Sequence, residues 1–87
     1  MNKEKVEKVI LEIIKSIVPK NQKNKVNLAS SLREDLNLDS IKLISLVTIL
    51  EEKANFDSML ASSEVDFTQI LTGTDVVNIV LQYQKPD

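Results

Sequence analysis

The chain has 87 residues, 43% of them apolar, three aromatic residues and a formal charge of −2, enough for one small domain with an aliphatic core. It contains no cysteine and no histidine, which excludes disulfides, thiolate or imidazole metal sites, cysteine nucleophiles and Ser-His-Asp catalysis. Charge is divided: residues 1–25 hold seven lysines and three glutamates, residues 26–87 four basic and ten acidic residues, an arrangement that disfavours nucleic acid and suits a basic protein partner.

Residues 3–18 read KEKVEKVILEIIKSIV. Val6, Val9, Ile10, Ile13, Ile14, Ile17 and Val18 recur at helical spacing, with Glu4, Glu7, Lys8, Glu12 and Lys15 on the other face. Pro19 ends the helix. Interleaved glutamates argue against a membrane-surface role for it. The opening MNKEKVEKV has no signal-peptide apolar stretch. No segment approaches the roughly 20 apolar residues of a membrane span. A cytoplasmic protein without stable membrane insertion is expected.

Residues 19–30, PKNQKNKVNLAS, show no period and read as a long connection pinned by Val26 and Leu28. SLRE, residues 31–34, has the spacing of a capping box. It predicts a short turn that sends Leu32 and Leu36 inward and ends before Asn37, a residue tolerant of left-handed backbone angles. Residues 40–53, SIKLISLVTILEEK, form the second long helix, with Asp39 as N-cap. Leu43, Leu46, Val47 and Leu50 make its buried stripe. Ile41, Ile44 and Ile49 are surplus, to be buried on a second side or offered to a partner.

Residues 54–65 read as an irregular connection anchored by Phe56, Met59 and Leu60. DFTQILT, residues 66–72, suits a short third helix using Phe67, Ile70 and Leu71, broken by Gly73. The last helix uses Val76, Ile79, Val80 and Tyr83, is capped by Thr72 or Thr74, and has Asp75 in its first turn. QKPD is expected to fray. The expectation is an all-α, four-helix bundle: three main helices, a short third helix and a long first loop. One domain is expected over residues 1–87, its structured core spanning about 3–84.

Ser40 is expected at the exposed start of the second helix. Unpaired amides and the helix dipole favour an anion there. "LREDLNLDSIKLISLVTILEE", residues 32–52, resembles the attachment region of acyl carrier proteins. In that family an Asp-Ser-Leu-type triplet opens the second helix; here it is Asp39-Ser40-Ile41. LREDL, residues 32–36, resembles the run that precedes the family's site. Leu50-Glu51-Glu52 and Phe56 resemble the helix ending and the aromatic that follows it. LTGTDVVNIV, residues 71–80, is similar to the start of the fourth helix. The resemblance covers most of residues 31–80.

The resemblance implies an all-α carrier rather than an enzyme. Its Ser40 would receive 4′-phosphopantetheine covalently from coenzyme A through a phosphopantetheinyl transferase, with Asp39 beside it. Acyl groups would ride on the arm as thioesters, loaded and processed by synthase- or ligase-class enzymes. Docking would use the second helix, at Ile41, Lys42, Ile44, Glu51 and Glu52 with Asp39, on a monomer. Cargo could enter the aliphatic core.

Three departures refine this. The glycine usual two residues before Asp-Ser is Asn37. The carboxylates usual along the second helix are Lys42, Ser45 and Thr48. The third-helix region keeps only Glu64 and Asp66. Asn37 can adopt similar backbone angles; the missing carboxylates point to a specialised pathway, polyketide or hybrid, more than to standard fatty-acid synthesis. The alternatives are an aminoacyl or peptidyl carrier of a nonribosomal pathway and a helical interaction module with no prosthetic group. A hydrolase using Ser40 and Asp39 lacks a base and an oxyanion site. Asp35-x-Asn37-x-Asp39 imitates the start of a calcium loop. It has Ser40 where glycine is required and Leu46 where a bidentate glutamate is required, so no metal is expected.

Overall fold

A computed structural model describes residues 2–85. It contains helices α1 (Lys3–Ile17), α2 (Ser40–Lys53), α3 (Ser58–Ser62) and α4 (Gly73–Gln82), with 3₁₀ turns at Lys20–Lys25 and Phe67–Gln69. No strand occurs among the described residues. Two isolated antiparallel bridges, Ser31 with Thr72 and Phe56 with Gln84, tie distant segments together. The all-α, four-helix architecture is as expected.

α1 starts where the Asn2 side chain accepts a hydrogen bond from the Lys5 amide at 2.9 Å. It ends where Val18, ahead of Pro19, turns extended. Val6, Ile10, Ile13 and Ile14 are buried on one stripe, packed against α2 and α4. Removing one such side chain to alanine costs about 2–5 kcal/mol, so this stripe holds the scaffold.

The long connection has more structure than its composition suggests. Lys20–Lys25 wind into a 3₁₀ helix, where a loop without regular structure was expected. Val26 and Leu28 do pack against the core. Ser30 is buried and donates its hydroxyl proton to the Lys25 carbonyl at 2.9 Å. At residues 31–36 the capping box is displaced by one residue. Ser31 Oγ accepts from the Glu34 amide at 3.1 Å, but the Ser31 amide donates to Asp35 Oδ2, at 2.8 Å, and not to Glu34. Leu32, Leu36 and Leu38 are all buried. Asn37 takes φ 56, the left-handed region that asparagine tolerates.

The segment after α2 corrects the sequence reading. Asn55 takes φ 54 and stops the helix. Asp57 then caps a five-residue α3 by accepting from the Leu60 amide at 3.1 Å. Met59 is 86% exposed and Leu60 52% exposed, so neither anchors the core. Ala61 and Phe56 do. The short helix expected over 66–72 shrinks to one 3₁₀ turn, and Leu71 is 65% exposed. A helix this short has no sequence period long enough to reveal its buried face.

α4 opens with a reciprocal capping box, Thr72 with Asp75. Gly73 is its first residue rather than a breaker. A Cβ there would lie 3.1 Å from Leu28 Cα, so glycine lets the long loop's backbone cross close to the helix. The Thr74 amide donates to the Leu28 carbonyl at 2.9 Å and the Leu32 amide to the Leu71 carbonyl at 2.8 Å. Val77, absent from the expected stripe, is buried beside Val76 and Val80. At the other end the Asp57 amide donates to the Tyr83 carbonyl at 2.7 Å and the Lys85 amide to the Asn55 carbonyl at 2.9 Å. Gln84 and Lys85 are therefore tied down rather than frayed; Pro86 and Asp87 lie outside the described residues.

Candidate functional site

Three buried leucines, Leu32, Leu36 and Leu38, moor the segment before α2. The left-handed turn at Asn37 then reverses the backbone. The Leu38 amide donates to the Leu32 carbonyl at 2.8 Å. This leaves Asp39 extended as N-cap, its carboxylate accepting from the Lys42 amide at 2.9 Å. Ser40 follows as the first helical residue and is exposed. Among the described residues none hydrogen-bonds the Ser40 hydroxyl. The Leu43 amide is bonded to the Asp39 carbonyl at 3.0 Å, so the free donors of the first turn are the Ser40 and Ile41 amides.

Beneath Ser40 lies a half-open cavity of about 280 Å³, lined by Arg33, Ser40, Leu43, Ile44, Val47 and Phe67. Its walls are aliphatic and aromatic, and no carboxylate lines it. Arg33 is exposed and finds no ion-pair partner among the described residues. Arg33 and Ser40 both line this apolar hollow, and the free Ser40 and Ile41 amides belong to the same first turn of α2. That set fits an anionic ester at Ser40 with an apolar chain below it.

The residues expected to dock partners are spread along α2. Ile41 is 75% exposed and Ile44 67% exposed, next to Ser40. Glu51 and Glu52 occupy the last turn; at about 1.5 Å rise per residue, Glu51 lies roughly 16 Å along the axis from Ser40. Lys42 is half-buried, one residue removed from the Ile41–Ser45–Thr48 face. Ser45 and Thr48 donate their hydroxyl protons back to the Ile41 and Ile44 carbonyls, each at 3.2 Å. Their polar atoms are spent on the helix, so the face is more apolar than its residue types suggest.

Arg33 and Phe67 were not singled out for the site by sequence. Arg33 sits seven positions before Ser40, in a turn with no period, and Phe67 reads as an apolar residue of a short third helix. Only the folded chain brings them to one cavity.

Among the described residues no cluster of acidic side chains is placed to hold a metal, and no helix is long and apolar enough to cross a membrane. No family model matches the chain, and no solved structure matches it. Two curated proteins do. The chain is 44% identical over 57 residues to the acyl carrier protein of Chlamydia caviae, covering 66% of this chain and 69% of that one. It is 41% identical over 60 residues to the acyl carrier protein of Chlamydia trachomatis serovar L2, covering 69% and 73%.

Proposed function

The chain belongs to the acyl carrier protein family, and from that premise we propose that Ser40 bears a 4′-phosphopantetheine arm on which acyl groups are carried. The family implies a prosthetic arm and biosynthetic enzymes as partners. The observation that carries the assignment to Ser40 is its position: first residue of α2, exposed, hydroxyl free, at the mouth of an apolar cavity. When bound, the arm supplies a terminal thiol for thioester formation.

The chain's own residues then have distinct tasks. Ser40 Oγ forms the phosphoester bond as the pyrophosphate bond of coenzyme A breaks; the nucleotide leaves, and the hydroxyl proton passes to a base of the transferase. The Ser40 and Ile41 amides, free at the start of α2, and the Arg33 guanidinium, which lines the same cavity as Ser40, would be the groups available to hold the resulting negative charge. Asp39 fixes the first turn through the Lys42 amide. The cavity shelters the cargo chain from water; by the scale on which about 150 Å³ admits benzene, its 280 Å³ admits on the order of ten carbon atoms.

The surface of α2 supports a specialised biosynthetic pathway. Between Ser40 and Glu51 it presents Ile41, Lys42, Ile44, Ser45 and Thr48 and no carboxylate. A partner matched to it, docking also at Glu51 and Glu52, would use apolar contact near the serine and basic residues only at the far end. We assign the single domain to residues 1–87, working as a soluble monomer in the cytoplasm, a carrier and substrate of other enzymes rather than an enzyme.

Intact-mass measurement tests the assignment. The protein is incubated with coenzyme A and a permissive phosphopantetheinyl transferase, beside Ser40→Ala. A gain of one phosphopantetheine in the parent alone is expected. No gain in folded, unmodified parent, across several transferases, would sink the carrier reading and favour an interaction module.

A further inference from the structure

Phe67 stands between two spaces. On one side is the cavity of about 280 Å³ that opens at Ser40. On the other is an inner void of about 10 Å³, walled by Leu46, Leu50, Phe56, Ile70 and Val76 among others, at the lower limit for a single water. Leu43, Val47 and Phe67 line both. Leu43 and Val47 belong to α2, so Phe67 is the shared wall residue that α2 does not supply.

That wall is built to give. Phe67 heads a three-residue 3₁₀ turn, a helix type with weaker hydrogen-bond geometry than the α-helix. The turn is closed by Gln69 to Asp66 at 3.0 Å and by a longer contact, Ile70 to Phe67, at 3.4 Å. Its ring is half-buried and meets Phe56 edge-on, centroids 6.2 Å apart and planes at 84°. Phe56 is fully buried, with its backbone held by the bridge to Gln84. Of the two rings, Phe67 is the one that also lines the outer cavity.

We propose that Phe67 is the residue that sets how long an acyl chain this carrier can shelter. The inference rests on the carrier reading of Ser40. A chain that fills the outer cavity stops against the Phe67 ring. A longer chain must either displace the ring toward the inner void or leave its end in water. Trimming the ring joins the two spaces along the same α2 face, because Leu43 and Val47 are common to both.

The test uses the phosphopantetheinylated protein loaded with saturated chains from butyryl to palmitoyl. Two readouts are taken for each chain: the thermal midpoint relative to the unloaded form, and the rate of thioester cleavage by hydroxylamine. In the parent both should improve with length, cleavage slowing by up to about fourfold for each methylene buried, then level off near octanoyl to decanoyl. Phe67→Ala should move that limit to longer chains, and Phe67→Leu should move it less. Circular dichroism of the unloaded variants checks that they fold, and Phe67→Leu carries the test if the alanine variant does not. A limit that stays in place in a folded variant overturns the role of Phe67 and leaves the carrier reading intact. A parent that loads but gains nothing from any chain overturns the sheltering cavity and the Phe67 role together. A parent that never accepts the arm overturns the carrier reading itself.

Discussion

α1 and α2 are of similar length and similarly rich in aliphatic residues, yet they are used differently. α1 buries Val6, Ile10, Ile13 and Ile14, keeps Val9, Leu11 and Ile17 half-buried, and gives most of its remaining surface to lysine and glutamate. α2 buries Leu43, Leu46 and Leu50 and leaves Ile41 and Ile44 in solvent beside Ser40. In α1 every apolar residue is at least half-buried. In α2 Ile41 and Ile44 are not, and they fall at the end where the serine, the cavity and Arg33 meet. Isoleucines left in solvent beside Ser40 are what the proposed docking role of α2 requires.

The sharpest way to break the comparison is to truncate one isoleucine on each helix. Ile10→Ala should cost about 2–5 kcal/mol, because Ile10 is fully buried. Ile44→Ala should change stability by no more than about 0.5 kcal/mol, while altering how well partner enzymes use the loaded protein. Urea midpoints of both variants measure this. Equal losses would mean that α2's exposed face is structural after all.

A smaller effect is expected at the turn that feeds α2. Asn37→Ala should cost about 1–2 kcal/mol, since alanine lacks the local hydrogen bonding that eases φ 56; Asn37→Gly should cost little or stabilise. Thermal melts of the pair decide it. A neutral alanine variant would show that the turn does not depend on a left-handed residue, and would weaken the account of how Ser40 is presented.

The smallest effect concerns the far end of the bundle. Burial, then a hydrogen bond to Glu64 and its negative charge, push the Tyr83 phenol above its ordinary pKa of 10.0. The neutral phenol is therefore favoured by folding. Its contribution is fully present below about pH 10, and is lost as pH rises through the elevated value. Stability followed from pH 8 to 11 should fall at the alkaline end in the parent and fall less in Tyr83→Phe. An identical alkaline decline in both would assign the loss to other groups.

Much of this architecture was legible in the residues. The i, i+3, i+4 spacing places α1 and α2 almost to the residue; Asp39 is legible as an N-cap and Asp75 as a first-turn carboxylate, while the choice between Thr72 and Thr74 as cap falls to Thr72 in the structure. Asn37 stood out as a left-handed position for a local steric reason. The segment from 54 to 72 was not legible. α3 has five residues, too few for a period to distinguish buried Ala61 from exposed Met59 and Leu60, and Gly73 passed for a breaker because its purpose, room for Leu28, involves a residue far away in sequence.

The sequence alone thus determined the main helices, their caps and an exposed serine at the start of α2, since each follows from interactions within a few residues. Tertiary structure alone decided which surplus isoleucines stay in water and how deep the space beneath Ser40 runs. It also decided that Arg33 and Phe67 border that space. A helical period names an apolar face, but only packing between distant segments settles what covers it and what remains open.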